Sequence, residues 1–397
     1  MNIKNPIDQA INLLLSASTA QGFVASTEDQ DNYKRIWARD GIITGLAGIL
    51  SGDERLIETL GKTIQTLSSH QLSKGTIPSN VAIDGNHVSY GSAAGRVDAT
   101  SWYLVGCCLF LLEQNNDELK SRYKDSLDKA IAILDAWEYN DKHLIYTPVS
   151  GNWADEYPIQ GYLLYDNCLR YWGLSLYSKI FGGYEQKLND IESTILNNFW
   201  FKKVPSNKPY FQPVYEKRFA QGPSKFFEAG FSPSGYTQRF DAAGNGLALM
   251  LFGNKIDECD LVIESYVNAL NSALGKYLIP AFWPVISKDD PEWRDLELNY
   301  AFDFKNHPGH FHNGGIWPVM MGLFCMGLSN VGLTSLVEKV WDCYYELVQE
   351  DFNSFYEYVD SNDFIPRGKR SMAFTASGIV FMQSALNNSE KVKSLIV

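Results

Sequence analysis

Along this chain apolar residues recur at helical spacing in twelve windows, and almost nowhere at the two-residue alternation of a strand. The windows predict helices at roughly 6–18, 40–51, 54–71, 98–113, 121–138, 159–181, 184–198, 239–252, 256–273, 312–327, 331–349 and 371–387. In the third, Leu56, Ile57, Leu60, Ile64 and Leu67 make one stripe. The connections alternate. Odd-numbered helices are followed by long loops and even-numbered ones by short turns such as Gly52-Asp53 and Gly182-Gly183. Even-numbered helices are rich in small and aromatic residues, as in Ala242-Ala243-Gly244-Asn245-Gly246. Odd-numbered helices carry charge, as in Glu118 to Lys129, and read as half exposed. The simplest architecture is six helical hairpins closed in a ring, an all-α (α/α)6 barrel with even helices inside and odd helices outside. With no linker or composition shift, the whole of 1–397 is expected to be a single catalytic barrel domain.

Composition narrows the function. The formal net charge of −12 and a pI near 5.0 disfavour nucleic acid and anionic membranes as partners. No stretch reaches the length of a membrane span, and the polar start (Met1 to Pro6) does not read as a secretory leader. Six scattered cysteines without a CxxC read as reduced core residues, so a cytoplasmic location is expected. Oligomeric state is left open.

In this register the six long loops meet at one end of the barrel. They end in or contain Arg35-Ile36-Trp37-Ala38-Arg39-Asp40, Gly95-Arg96-Val97-Asp98 to Trp102, Trp153-Ala154-Asp155-Glu156, Tyr236 to Asp241, His310-Phe311-His312-Asn313 to Trp317, and Phe355-Tyr356-Glu357 to Arg370. Taken singly, each has a plain structural explanation. Asp155 and Glu156, like Asp40, Asp98 and Asp241, suit helix caps. Trp37, Trp102 and Trp317 suit a core, and His310 and His312 suit satisfied polar sites. Taken together they surround one cavity with carboxylates, guanidinium groups, an amide and indoles. That is a surface for sugars, whose apolar faces stack on rings and whose hydroxyls take paired hydrogen bonds. No metal or cofactor is expected: the spacing of His307, His310 and His312 fits no zinc motif, and no phosphate-cradling or dinucleotide fingerprint occurs.

Glycoside hydrolysis needs two carboxyl groups flanking the scissile bond. Asp155 precedes the sixth helix and Glu357 the twelfth, positions diametrically opposed in a six-hairpin ring. Asp155 is the candidate general acid, with Glu156 beside it to raise its pKa and Asp98 as the alternative acid. Glu357 is the candidate base. Arg39, Asp40, Asp98, His312 and Asn313 are candidates to hold the sugar, with Trp37, Trp102, Trp153, His310, Trp317 and Tyr356 around it. Arg370 is a candidate to orient Glu357 or the substrate. The expected carboxyl separation is about 6.5–9.5 Å, the inverting range.

These segments resemble the (α/α)6-barrel glycoside hydrolases, nearest the neutral/alkaline invertases of glycoside hydrolase family 100 and the amylo-α-1,6-glucosidase domain of glycogen-debranching enzymes. Trp37-Ala38-Arg39-Asp40 looks like the aromatic-x-Arg-Asp motif of both, and Val97-Asp98 to Trp102 like their Val-Asp-x-x-x-Trp motif. His312-Asn313-Gly314-Gly315-Ile316-Trp317-Pro318 is closest to the invertases, as is Glu357-Tyr358-Val359-Asp360, the segment that carries their base. The resemblance runs in islands from Tyr33 to Met382. It implies inverting hydrolysis of a small α-glucoside, sucrose or a short α-glucan stub, with an Asp acid and a Glu base mapping onto Asp155 and Glu357. Trp153-Ala154-Asp155-Glu156 departs from the invertase Met-Ile-Asp-Arg-Arg segment and lies nearer the Trp-Met-Asp of the debranching enzymes. Sucrose specificity is therefore not implied. Two other readings stay open: a cofactor-free sugar epimerase or isomerase using His310 and His312, and a non-catalytic sugar-binding protein.

Overall fold

A computed structural model describes residues 5–28, 31–299 and 301–396. The twelve expected helices are present: α1 (Pro6–Ser16), α2 (Ala38–Ser51), α3 (Glu54–Ser69), α4 (Val97–Gln114), α5 (Asp117–Ala136), α6 (Leu164–Phe181), α7 (Glu185–Phe199), α9 (Ala242–Phe252), α10 (Cys259–Leu274), α12 (Pro318–Asn330), α13 (Thr334–Val348) and α14 (Ala373–Asn387). Three short helices were not expected: α8 (Gln212–Phe219), α11 (Trp293–Leu298) and α15 (Ser389–Ser394). None spans three full turns, so none carries a readable stripe.

The inner ring is α2, α4, α6, α9, α12 and α14. Each packs on the next, and α14 packs back on α2, which closes an (α/α)6 barrel. Inner helices are buried all round, as α2 is from Ala38 to Leu50 apart from Arg39. Outer helices bury one stripe. In α3 it comprises Leu56, Ile57, Thr59, Leu60, Thr63, Ile64 and Leu67, the stripe expected from sequence with two threonines added. No helix of the described residues is long and apolar enough to cross a membrane.

Small residues set the spacing of the inner ring. A Cβ on Gly378 of α14 would lie 2.3 Å from the Pro318 carbonyl oxygen of α12, and one on Gly246 of α9 would lie 2.7 Å from the α12 backbone at Leu323. The backbones touch there, so neither helix tolerates a side chain.

Side-chain caps occur in both rings: Asp53 of outer α3 accepts from Arg55 N at 3.0 Å, Asn116 of outer α5 from Glu118 N at 2.9 Å, and Asp241 of inner α9 from Ala243 N at 3.0 Å. Inner helices in addition give their first N–H to a carbonyl of the next loop around the ring. Ala38 donates to Ser79 (2.9 Å), Val97 to Gly151 (2.7 Å), Leu164 to Ala229 (2.9 Å), Ala242 to Ala281 (3.0 Å) and Ala373 to Ala25 (2.9 Å). The sixth, α12, begins with Pro318, which has no N–H to satisfy.

Short antiparallel pairings continue this link between loops. Arg35–Trp37 pairs with Asn80–Ala82, Tyr162–Leu163 with Gly230–Phe231, and Phe240–Asp241 with Phe282–Trp283. Isolated bridges join Ile316 to Val359 and Ser26 to Met372. These pieces correct two sequence boundaries. Residues 159–163 are irregular and then extended rather than helix, and α12 starts at Pro318 rather than near 312, because both stretches are used in loop-to-loop pairing. Asp155 and Glu156 consequently cap no helix.

Gly378→Ala is expected to destabilise the protein by about 1–3 kcal/mol through overpacking, seen as a lower urea midpoint. The same change at Gly182, where no atom lies within 4 Å of the added Cβ, removes no such contact and reports only backbone strain at its φ of +77°.

Candidate active site

Five of the six loops line a cavity of about 790 Å³ at the N-terminal end of the inner helices; the fourth, with Tyr236 to Asp241, does not reach it. Among the expected residues, Trp37, Arg39, Asp40, Trp153, Asp155, Glu156, His312, Trp317 and Glu357 line it. The two candidate carboxylates therefore face one space although they come from loops three hairpins apart.

The loop carrying Asp155 is pinned by Arg96. Its Nη1 donates to the carbonyls of Ser150 (2.8 Å) and Asn152 (3.1 Å), and its Nη2 to Asp155 Oδ2 at 2.5 Å. The Asp155 side chain keeps 24% exposure, toward the cavity. Burial pushes its carboxyl up, but the charges around it, Arg96 first, pull harder and leave it below the usual carboxylate range, contrary to the expectation that Glu156 raises it. Glu156 accepts from Lys305 Nζ at 3.2 Å, and burial, aided by the Asp155 charge, holds it above the usual range.

Glu357 is 4% exposed. Tyr33 Oη donates to its Oε1 at 2.7 Å, and the Lys369 backbone N–H donates to its Oε2 at 3.2 Å. Burial raises its pKa; these two bonds and the lysine charges oppose that without cancelling it. Gly368 makes room for the carboxylate, since a Cβ there would lie 2.5 Å from Oε2.

The floor is an arginine–aspartate group at the start of α2. Arg39 Nη1 donates to Asp98 Oδ2 at 2.8 Å, and its Nε lies 3.8 Å from Asp40 Oδ2. Aromatic rings from the third and fifth loops also line the cavity. Trp153 stacks on Phe282 with centroids 5.7 Å apart, and His312 stacks on Trp317 at 5.3 Å. His312 is 2% exposed, and burial drops its pKa to about 3, so it is neutral.

Other expected residues lie elsewhere. Asp98 is 1% exposed beneath Arg39, so it supports the guanidinium and does not reach the cavity as an alternative acid. Trp102 is core: its Nε1 donates to Tyr165 Oη at 2.7 Å, and its ring packs edge-on against Trp172. The Asn313 amide is consumed by the backbone, accepting from Ile286 N (2.7 Å) and donating to the carbonyls of Ile286 (2.9 Å) and Asn306 (3.1 Å). Asn167 and Asn245 grip Ile145 and Phe227 in the same two-way fashion, which marks this as a structural device. His310 Nε2 sits 3.0 Å from Asp360 Oδ2, outside the lining, so the two histidines do not face one substrate. Arg370 donates to Tyr356 Oη at 2.7 Å and lies 3.5 Å from Asp351, away from Glu357. Both Arg370 and Tyr356 lie outside the lining.

Sequence reasoning missed Tyr33, Arg96, Lys305 and Asn306. Arg96 stands next to the Val-Asp motif, and Tyr33 four residues before Trp37. No local signal identifies Lys305, or Asn306, whose side chain ties Glu156 O (2.7 Å) to His312 N (3.0 Å).

Comparison with known proteins gives a consistent placement. Residues 216–388 match the sequence profile of the alkaline and neutral invertase family. A probable chloroplastic alkaline/neutral invertase A of Arabidopsis thaliana is 29% identical over 175 residues, 43% of this chain and 26% of that protein. Cytosolic invertase 1 of Oryza sativa subsp. japonica is 19% identical over 393 residues, 82% of this chain and 66% of its own. The matches to the Arabidopsis proteins thus span about a quarter of those chains. Among solved structures, a mannosylglycerate hydrolase of glycoside hydrolase family 63 from Thermus thermophilus superposes with a TM-score of 0.67 at 11% identity, covering 96% of this chain and 100% of its own. A bacterial glucoamylase solved with acarbose gives 0.63 at 14% identity, covering 100% of this chain and 59% of its own. The chain resembles the invertases in sequence and has the fold of the (α/α)6-barrel glycosidases.

Tyr33→Phe removes a bond that lowers the Glu357 pKa, so that pKa is expected to rise. Carbon-13 NMR titration of the Glu357 carboxyl, identified by its loss in Glu357→Gln, measures the change.

Proposed function

We propose that this chain, as one catalytic barrel over 1–397, is an inverting glycoside hydrolase of a small α-glucoside, with Asp155 as general acid and Glu357 as general base. The observation that carries the reading is that these two carboxylates, from the third and sixth loops, face the same cavity. The match to the invertase profile and the likeness to solved glycosidases support it.

In this mechanism the sugar lies over Arg39 and Asp40, which take its hydroxyls in paired hydrogen bonds, with Trp317 and Trp153 against its apolar face. Glu357 draws a proton from water on one side of the anomeric carbon. Its raised pKa makes it a stronger base than a free carboxylate. Tyr33 and the Lys369 N–H fix its orientation. Asp155 protonates the leaving oxygen from the other side. In the open cavity Arg96 favours the ionised form of Asp155. With Glu357 raised and Asp155 lowered, the productive form, Asp155 protonated and Glu357 ionised, is the less populated way of placing one proton on the pair. Catalysis then needs Glu357 ionised, which fails as pH falls, and Asp155 protonated, which fails as pH rises.

The roles separate on substrates with different leaving groups. Asp155→Asn is expected to lose turnover of sucrose, isomaltose, maltose and trehalose alike but to keep hydrolysis of α-glucosyl fluoride, because fluoride departs without a proton. Glu357→Gln is expected to lose both by about 100-fold or more. The opposite pattern would exchange the two roles, and full activity in both variants would remove them. Proton NMR of the wild-type reaction is expected to show β-glucose first, before mutarotation; α-glucose first would exclude inversion.

A further inference from the structure

One wall of the cavity, from the first two loops and next to the Asp155 loop that Arg96 holds, is a small antiparallel sheet. Arg35–Trp37 pairs with Asn80–Ala82, which pairs with Val88–Ser89. Ile36 is buried in the core, while Arg35 and Trp37 on either side of it turn the other way and line the cavity. Asn80, His87 and Ser89 line it from the two partner strands and the turn between them.

Charge on this wall is unbalanced. The other cations around the cavity are each committed: Arg39 to Asp98 and Asp40, Arg96 to Asp155, Lys305 to Glu156. Arg35 forms no ion pair among the described residues. Among the described residues its guanidinium makes one bond, from Nη1 to the neutral Asn80 Oδ1 at 3.1 Å, which uses one of five N–H donors. That bond aims the guanidinium rather than neutralising it. The sheet wall itself carries a guanidinium, an amide, a hydroxyl, an imidazole and an indole, with no carboxylate. The cavity lining as a whole holds six carboxylates, Asp31, Asp40, Asp155, Glu156, Asp303 and Glu357, so a guanidinium on a stretch of wall without one is a local feature and not a general surface property.

A guanidinium left open in a half-enclosed site matches a planar or tetrahedral anion. The deep Arg39–Asp40 floor already suits the neutral hydroxyls of the glucosyl unit. From this juxtaposition we infer that the leaving group of the substrate carries an anionic oxygen group, a carboxylate or a phosphate ester, received by Arg35 with Asn80 and Ser89 beside it. The inference rests on the glycosidase reading above and narrows it from small α-glucosides to those with an acidic aglycone.

Two matched pairs test it at low ionic strength: a 2-O-α-glucosyl 2-hydroxy acid against its amide, and sucrose phosphorylated on the fructose against sucrose. The charged member of at least one pair is expected to have a kcat/KM about tenfold or more higher, the scale of one charge-assisted hydrogen bond. The pair that shows it identifies carboxylate or phosphate. Arg35→Gln is expected to bring that ratio toward one, Arg35→Lys to keep part of it, and added salt to weaken it. Equal or lower kcat/KM for both charged members, or a preference unchanged in Arg35→Gln, overturns the inference while leaving a glycosidase. Failure to hydrolyse any of the four compounds or α-glucosyl fluoride overturns the glycosidase reading and this inference with it.

Discussion

Six helices that begin at the same end of a barrel present six sets of unpaired N–H groups, and burial makes each one costly. This protein satisfies the first of each set with the next loop's backbone. Five donate to a neighbouring carbonyl, and the sixth starts on Pro318 and has nothing to donate. The loops are thereby tied into a continuous girdle around the mouth of the cavity. Side chains on such loops are held by main chain on both sides, which is a firmer mounting than a loop anchored only at its ends.

The same arrangement explains the electrostatics. Helix N-termini carry partial positive charge, and this end of the barrel collects buried carboxylates: Asp40, Asp98, Asp166 and Asp241 lie in or at the first turn of four inner helices. Burial alone drives Asp241 up to about 7 despite two backbone N–H bonds to it. Asp155 escapes that fate because Arg96 reaches it, and Glu357 is only partly relieved by Tyr33. Two carboxyl groups in one cavity are thus displaced in opposite directions by identifiable neighbours.

The architecture was legible because it depends on periodicity. Helices inside and outside the ring differ in how much of their circumference is apolar, and α2 and α3 show that difference directly in their residues. The loop-to-loop pairings were not legible. They are two or three residues long, join segments far apart, and leave no alternation to read, so 159–163 passed for the start of a helix. In the site, the carboxylates and Arg39 were readable from their place before inner helices. Asn313 looked like a sugar ligand because an amide beside a histidine carries no mark of the backbone it grips. Lys305 was invisible for the converse reason: a cation in an unpatterned loop acquires its role only from where the loop comes to rest.

The ring's last seam joins the beginning of the barrel to its end. Ser26 Oγ donates to the Arg370 carbonyl 344 positions away at 3.0 Å, beside the Ala373–Ala25 bond. Glu357 stands just before that seam and takes its tyrosine hydroxyl from just after it, at Tyr33. The orientation of one carboxylate therefore records whether the circle is shut. An opening of this seam by local unfolding would leave the helical stacks largely intact while releasing Glu357 from Tyr33, so loss of activity during gentle denaturation would precede loss of helix.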